Sequence, residues 1–71
     1  MTNNLDEDLT GMVGRITVPI DVDTPGEIMI SVRGGAEAFT AYTLGGETLP
    51  KNARAAVVEQ TGARTVLVTG C

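Results

Sequence analysis

The sequence predicts an all-β domain, a small five-stranded Greek-key barrel of OB type. Runs of strand-forming residues with period-two alternation recur between Gly11 and Gly70, separated by clusters of Gly, Pro, Asp and Asn. The connections between them are short, as in small barrels. Apolar residues make up 42% of the 71, many of them Ala and Val, and the aromatics are Phe39 and Tyr42 alone. Such small side chains suit inward positions of a narrow barrel. Closure also removes sheet edges that a short apolar sheet would otherwise expose.

Residues 1–10, carrying Asp6, Glu7 and Asp8, are expected to be a disordered acidic arm or linker, with residues 11–70 forming the barrel. The first strand falls in Gly11–Ile20, with Met12, Gly14, Ile16 and Val18 on the apolar face and Val13, Arg15 and Thr17 on the other. Gly14 within it suggests a bend or a close backbone approach. Pro25-Gly26 suits a type II turn, with positive φ at Gly26. The second strand follows, with Ile28, Ile30 and Val32 inward and Met29, Ser31 and Arg33 outward. Gly34-Gly35 signals a hairpin. In the returning run Phe39 and Ala41 face inward, and Thr40 and Tyr42 face water or a partner.

Gly45, Gly46 and Pro50 leave room for a loop or one helical turn. Lys51-Asn52 then turns the chain into the fourth strand, where Ala53, Ala55 and Val57 share the inner face and Arg54, Ala56 and Val58 the outer. Gly62 is expected to reverse the chain with a positive φ, and Val66 and Val68 line the inner face of the last strand. The helical propensity of Ala and Arg competes here, but Val57-Val58, "TVLV" and Gly62 favour strands. The expected core is Ile16, Ile28, Ile30, Val32, Phe39, Ala41, Val57, Val66 and Val68.

The net charge is −4, with 9 acidic and 5 basic residues. Phosphate recognition needs Lys and Arg, so the balance argues against nucleic acid and against an anionic membrane surface. No apolar run approaches the ~18 residues of a spanning helix, and the opening is polar and acidic rather than basic then apolar. A single cysteine and no histidine exclude an internal disulfide and a zinc site of Cys and His ligands. Stability must come from apolar burial and backbone pairing, or from association, so weak self-association is a further expectation.

The order of signals resembles the C-terminal soluble domain of NfeD-like proteins. Gly11 and Gly14 match the family's G-x-x-G pair, and Pro25-Gly26-Glu27-Ile28 matches its turn. Ala41 matches the third-strand alanine, Leu49-Pro50-Lys51 the lead-in, and Val57-Val58 with Val66 and Val68 the final hairpin. Asn52 stands where the family usually has Gly, and Ala53 and Ala55 where Thr and Val are usual. The resemblance implies the soluble domain of a membrane-anchored protein, on the cytoplasmic side, held to the membrane only through spanning segments outside this chain. Its implied partners are stomatin-, prohibitin- or flotillin-type scaffold proteins. Long members of the family also carry a serine-protease domain, for which this chain has no room.

No catalytic, cofactor-binding or metal-binding residue is expected, and the chain is read as no enzyme. Asp21 and Asp23 lack the 12-residue loop of an EF-hand. Ser31, the one serine, has no histidine to activate it. Neither glycine pair leads into a helix that could cradle phosphate. Cys71 lacks surroundings that would lower its pKa. The function expected is therefore a non-catalytic protein-interaction module. The alternative is a small OB domain for single-stranded nucleic acid, which would need stacking rings in a basic groove. Candidate partner contacts are the outward residues Arg33, Tyr42, Arg54, Val58 and Leu67; Arg and Tyr are favoured interface anchors.

Overall fold

A computed structural model describes residues 9–71, and most of the expected arm, residues 1–8, lies outside the described residues. Five strands follow one another: β1 (Val13–Val18), β2 (Gly26–Val32), β3 (Gly35–Tyr42), β4 (Arg54–Gly62) and β5 (Thr65–Gly70). They close into a barrel in the order β1-β2-β3-β5-β4, with β1 meeting β4. The β3–β5 seam is parallel and every other pairing antiparallel. The fold class read from the sequence is thus the one observed, and no helix crosses Ala53–Gln60, whose residues from Arg54 on lie in β4.

Period-two burial fills the interior. Ile16, Ile28, Ile30, Phe39, Ala41, Val57, Val66 and Val68 are buried as expected, while Val32 is only half-buried and packs against the cluster from its rim. Leu9, Ile20, Leu49 and Ala55 complete the core. Leu9 falls inside the stretch expected as an arm, yet it is 3% exposed, and its amide donates to Gln60 Oε1 at 3.4 Å. Gly14 is a close-approach glycine, since a Cβ there would lie 2.5 Å from the Met29 carbonyl oxygen.

Several local readings are corrected. The register shifts between Ile16 and Val18, so Val18 pairs with Glu27 and turns outward at 47% exposure, since a bulge adds one residue and inverts the alternation in what remains of the strand. Ile20 lies beyond β1, where its bridge to Leu49 rather than strand alternation accompanies its burial. Met12, at the mouth of the barrel, also stays 36% exposed.

The turn before β2 is formed by Val22-Asp23 between the bridged Asp21 and Thr24, not by Pro25-Gly26. Gly26 does not take a positive φ. It is buried at the start of β2, where a Cβ would run into the Val18 carbonyl oxygen. The β2–β3 turn is Arg33-Gly34, because Gly35 already pairs with Val32. Gly62 ends β4 opposite Thr65 without a positive φ, leaving Ala63-Arg64 as the turn. Asn52 does take the left-handed conformation, at φ 77°, and its amide donates to the Ile16 carbonyl at 2.7 Å.

Candidate interaction surface

Outward side chains of a closed barrel reach water or a partner, so the outer face is where a module without a catalytic constellation presents its chemistry. On β4 this face carries Arg54, Ala56 and Val58; on β5 it carries Leu67 and Thr69. The register sets Val13 of β1 beside Ala56, and Leu67 beside both Tyr42 of β3 and Glu59 of β4. Val13 and Val58 are 47% and 48% exposed. Together with Ala56 they form an apolar strip across the β1–β4 seam.

The strip leads into a shallow groove of about 290 Å³ lined by Leu44, Glu47, Val58, Leu67, Val68 and Thr69. Its far wall is the β3–β4 loop. Glu47 pins that loop to β5, accepting from Gly70 N at 3.0 Å and from Thr69 Oγ1 at 3.3 Å. Thr43 Oγ1 donates to the Glu47 carbonyl at 2.6 Å and tightens the same loop. The loop holds Leu44 out at 72% exposure.

The structure separates the five residues singled out from the sequence. Val58 and Leu67 line one groove. Leu67, however, is only 7% exposed. It faces outward in register with Tyr42, but it lies on the groove floor between Val58 and the pinned loop, so it supports the surface rather than presenting itself. Tyr42 is half-buried in a neighbouring recess of about 360 Å³ with Val22, Pro25 and Thr65 among its walls. Arg54 is exposed at the start of β4, in register with Arg15. Arg33 sits in the β2–β3 turn at another recess, near Arg64 and Phe39.

Sequence reasoning missed Leu44, Val13 and Glu47. Val13 had a readable signal, as the one large aliphatic side chain on the otherwise polar face of the first strand. Leu44 and Glu47 had none, because a loop carries no periodicity. Among the described residues, no group of three or more His, Cys, Asp or Glu side chains could hold a metal ion, and no helix is long and apolar enough to cross a membrane.

Comparison with known proteins adds a family. A family model, the NfeD C-terminal domain, matches residues 13–69. No curated protein matches the chain. Among solved structures, the soluble domain of the NfeD protein YuaF from Bacillus subtilis is similar, with a TM-score of 0.74 at 24% identity, over 87% of this chain and 73% of that one. The C-terminal domain of a stomatin operon partner protein from Pyrococcus horikoshii superposes with a TM-score of 0.64 at 24% identity, over 89% of this chain and 88% of that one. At this identity the two structures speak for the fold.

Proposed function

The chain belongs to the NfeD C-terminal domain family, and on that premise we propose that it is a non-catalytic protein-interaction module. In this reading it is the soluble domain of a membrane-anchored protein, on the cytoplasmic side, and it works with a scaffold protein of the stomatin, prohibitin or flotillin type. The observation that carries the reading is the groove floored by Leu67 and bordered by the exposed Val58 and Leu44, continuous with Val13 and Ala56. An apolar depression with polar residues at its border is the arrangement of an interface core. Tyr42 lies one strand away, and Arg54 lies further along the outer face of β4. The stomatin operon partner from Pyrococcus horikoshii, named for its operon, is a domain of the same shape and supports this choice of partner class.

The test is binding to a purified scaffold protein of this type from the same genome. Val58→Asp and Leu44→Asp alter exposed positions and should leave the circular dichroism spectrum unchanged. Each should weaken binding about tenfold or more, the loss expected on placing a charge in an apolar contact. Tyr42→Ser should weaken it less. If both folded Asp variants bind like the wild type, the surface is misplaced; if the wild type does not bind, the partner class is wrong.

A further inference from the structure

The β2–β3 hairpin outruns the barrel that it helps to close. β3 pairs with β2 from Gly35 to Ala41, but with β5 only from Thr40 to Tyr42. The two-residue turn makes Val32 and Gly35 a hydrogen-bonded pair. Residues 35, 37 and 39 therefore direct their backbone groups to β2, and residues 36, 38 and 40 direct theirs to the opposite edge. At that edge Thr40 N donates to the Arg64 carbonyl at 2.8 Å. One step further out, the Ala38 carbonyl accepts from Arg64 Nη2 at 2.9 Å. A side chain stands there in the place of a neighbouring strand. Beyond it, no strand among the described residues lies beside Ala36, which is exposed; Ala38 is half-buried. An edge of this kind is a template for another strand.

The edge borders a recess of about 320 Å³ at the barrel mouth, with Leu9, Val32 and Phe39 on its apolar side and Arg33 and Arg64 on its rim. The Arg64 guanidinium lies 5.1 Å from the Phe39 ring centroid and pairs with Glu37 at 3.3 Å. Both ends of that ion pair are at least half exposed, so it stabilises little and exchanges readily for another carboxylate. In a chain of net charge −4, the recess is lined by two arginines against one carboxylate, Glu37, so its local sign is positive.

We propose that the β3 edge at Ala36–Ala38 accepts an extended segment of a partner protein as an added strand, and that this segment alternates acidic and apolar residues. Its backbone pairs with Ala36 and Ala38, and its N–H replaces Arg64 Nη2 on the Ala38 carbonyl. A carboxylate takes the place of Glu37 on Arg64, and the apolar side chains, on the opposite face of the added strand, lie beside Ala36 and Ala38. Main-chain pairing supplies affinity and the alternate side chains supply selectivity, the usual division in strand addition. The site shares no residue with the Leu44–Val58 groove, so either can fail without the other.

The isotope-labelled full chain is titrated with a synthetic octapeptide alternating Val and Asp. A Val/Lys octapeptide and a Val/Asp octapeptide N-methylated at alternate residues serve as comparisons. The expected result is shifted and exchange-protected amides at Ala36 and Ala38 with the Val/Asp peptide. Binding should be about tenfold weaker for both comparison peptides and for Ala36→Pro and Arg64→Gln. Proline is tolerated at an edge whose N–H points away from the ladder, so Ala36→Pro leaves the β2 pairing intact. No shift at these amides up to about 1 mM peptide, equal binding by the Val/Lys peptide, or undiminished binding by Ala36→Pro would overturn the proposal. A variant with Asp6→Asn, Glu7→Gln and Asp8→Asn tests the chain's own carboxylates as occupant. Unchanged Ala36 and Ala38 amides in that variant, with peptide binding retained, support a partner strand; amides moved by the substitutions and insensitive to peptide overturn it.

Discussion

Phe39 is the one aromatic side chain in a core otherwise made of Ile, Val, Leu and Ala, and it is 6% exposed. Its position was legible because strand alternation fixes Phe39 and Ala41 on the same face, and the register sets Phe39 opposite Ile28. What the sequence could not reveal is the cover above it, since Arg64 reaches it across the fold from the β4–β5 turn. Phe39→Ala should cost about 3–5 kcal/mol in urea denaturation, comparable with the entire stability expected of a domain this small. Arg64→Ala should cost under about 1 kcal/mol, because an exposed cation over a ring contributes little. Leu67 illustrates the limit from the other side. Alternation correctly directs it outward, but alternation does not report the loop that folds over an outward face.

Among the elements, the strands were readable and the turns were not. Each strand carries an alternating apolar set whose wrong register would expose every member, so sequence and structure agree on β2 and on the inner face of β3. Turns depend on single φ values and on contacts from elsewhere. Gly26 looked like a turn residue beside Pro25, yet its lack of a side chain serves the approach of the Val18 carbonyl instead. The bulge after Ile16 likewise has no local signal, and it moved Val18 out, while Ile20 is buried beyond the strand, where it bridges Leu49. The β3–β4 loop holds its place largely through the Glu47 carboxylate. Glu47→Ala should therefore remove the acceptor of Gly70 N, raise hydrogen exchange at that amide, and cost about 1–2 kcal/mol. It should also free Leu44 and so weaken scaffold binding without any change at Val58. Protection at Gly70 equal to that of the wild type would show that the loop is held by other contacts.

For the molecule as a whole, charge decides more than shape. OB barrels serve many ligands, and the alternative of single-stranded nucleic acid needs a basic groove with stacking rings. Here the net charge is −4, and the two rings are buried or half-buried. Fluorescence titration with single-stranded DNA or RNA at physiological salt should show no binding; micromolar affinity that falls steeply with added salt would reverse this reading. The strand order also sets the tempo of folding. The β2–β3 and β4–β5 hairpins join near neighbours in the chain, whereas closure must bring Val13 to Ala56 and Thr40 to Thr65. The hairpins are local and form in microseconds, but the two closing seams demand long loops before any of their contacts exist. Refolding followed by stopped flow should therefore occupy about milliseconds to seconds despite the small size. Substitutions along the parallel seam, such as Thr40→Gly, should mainly slow the appearance of the native ring, because the ring is complete only when that seam has joined.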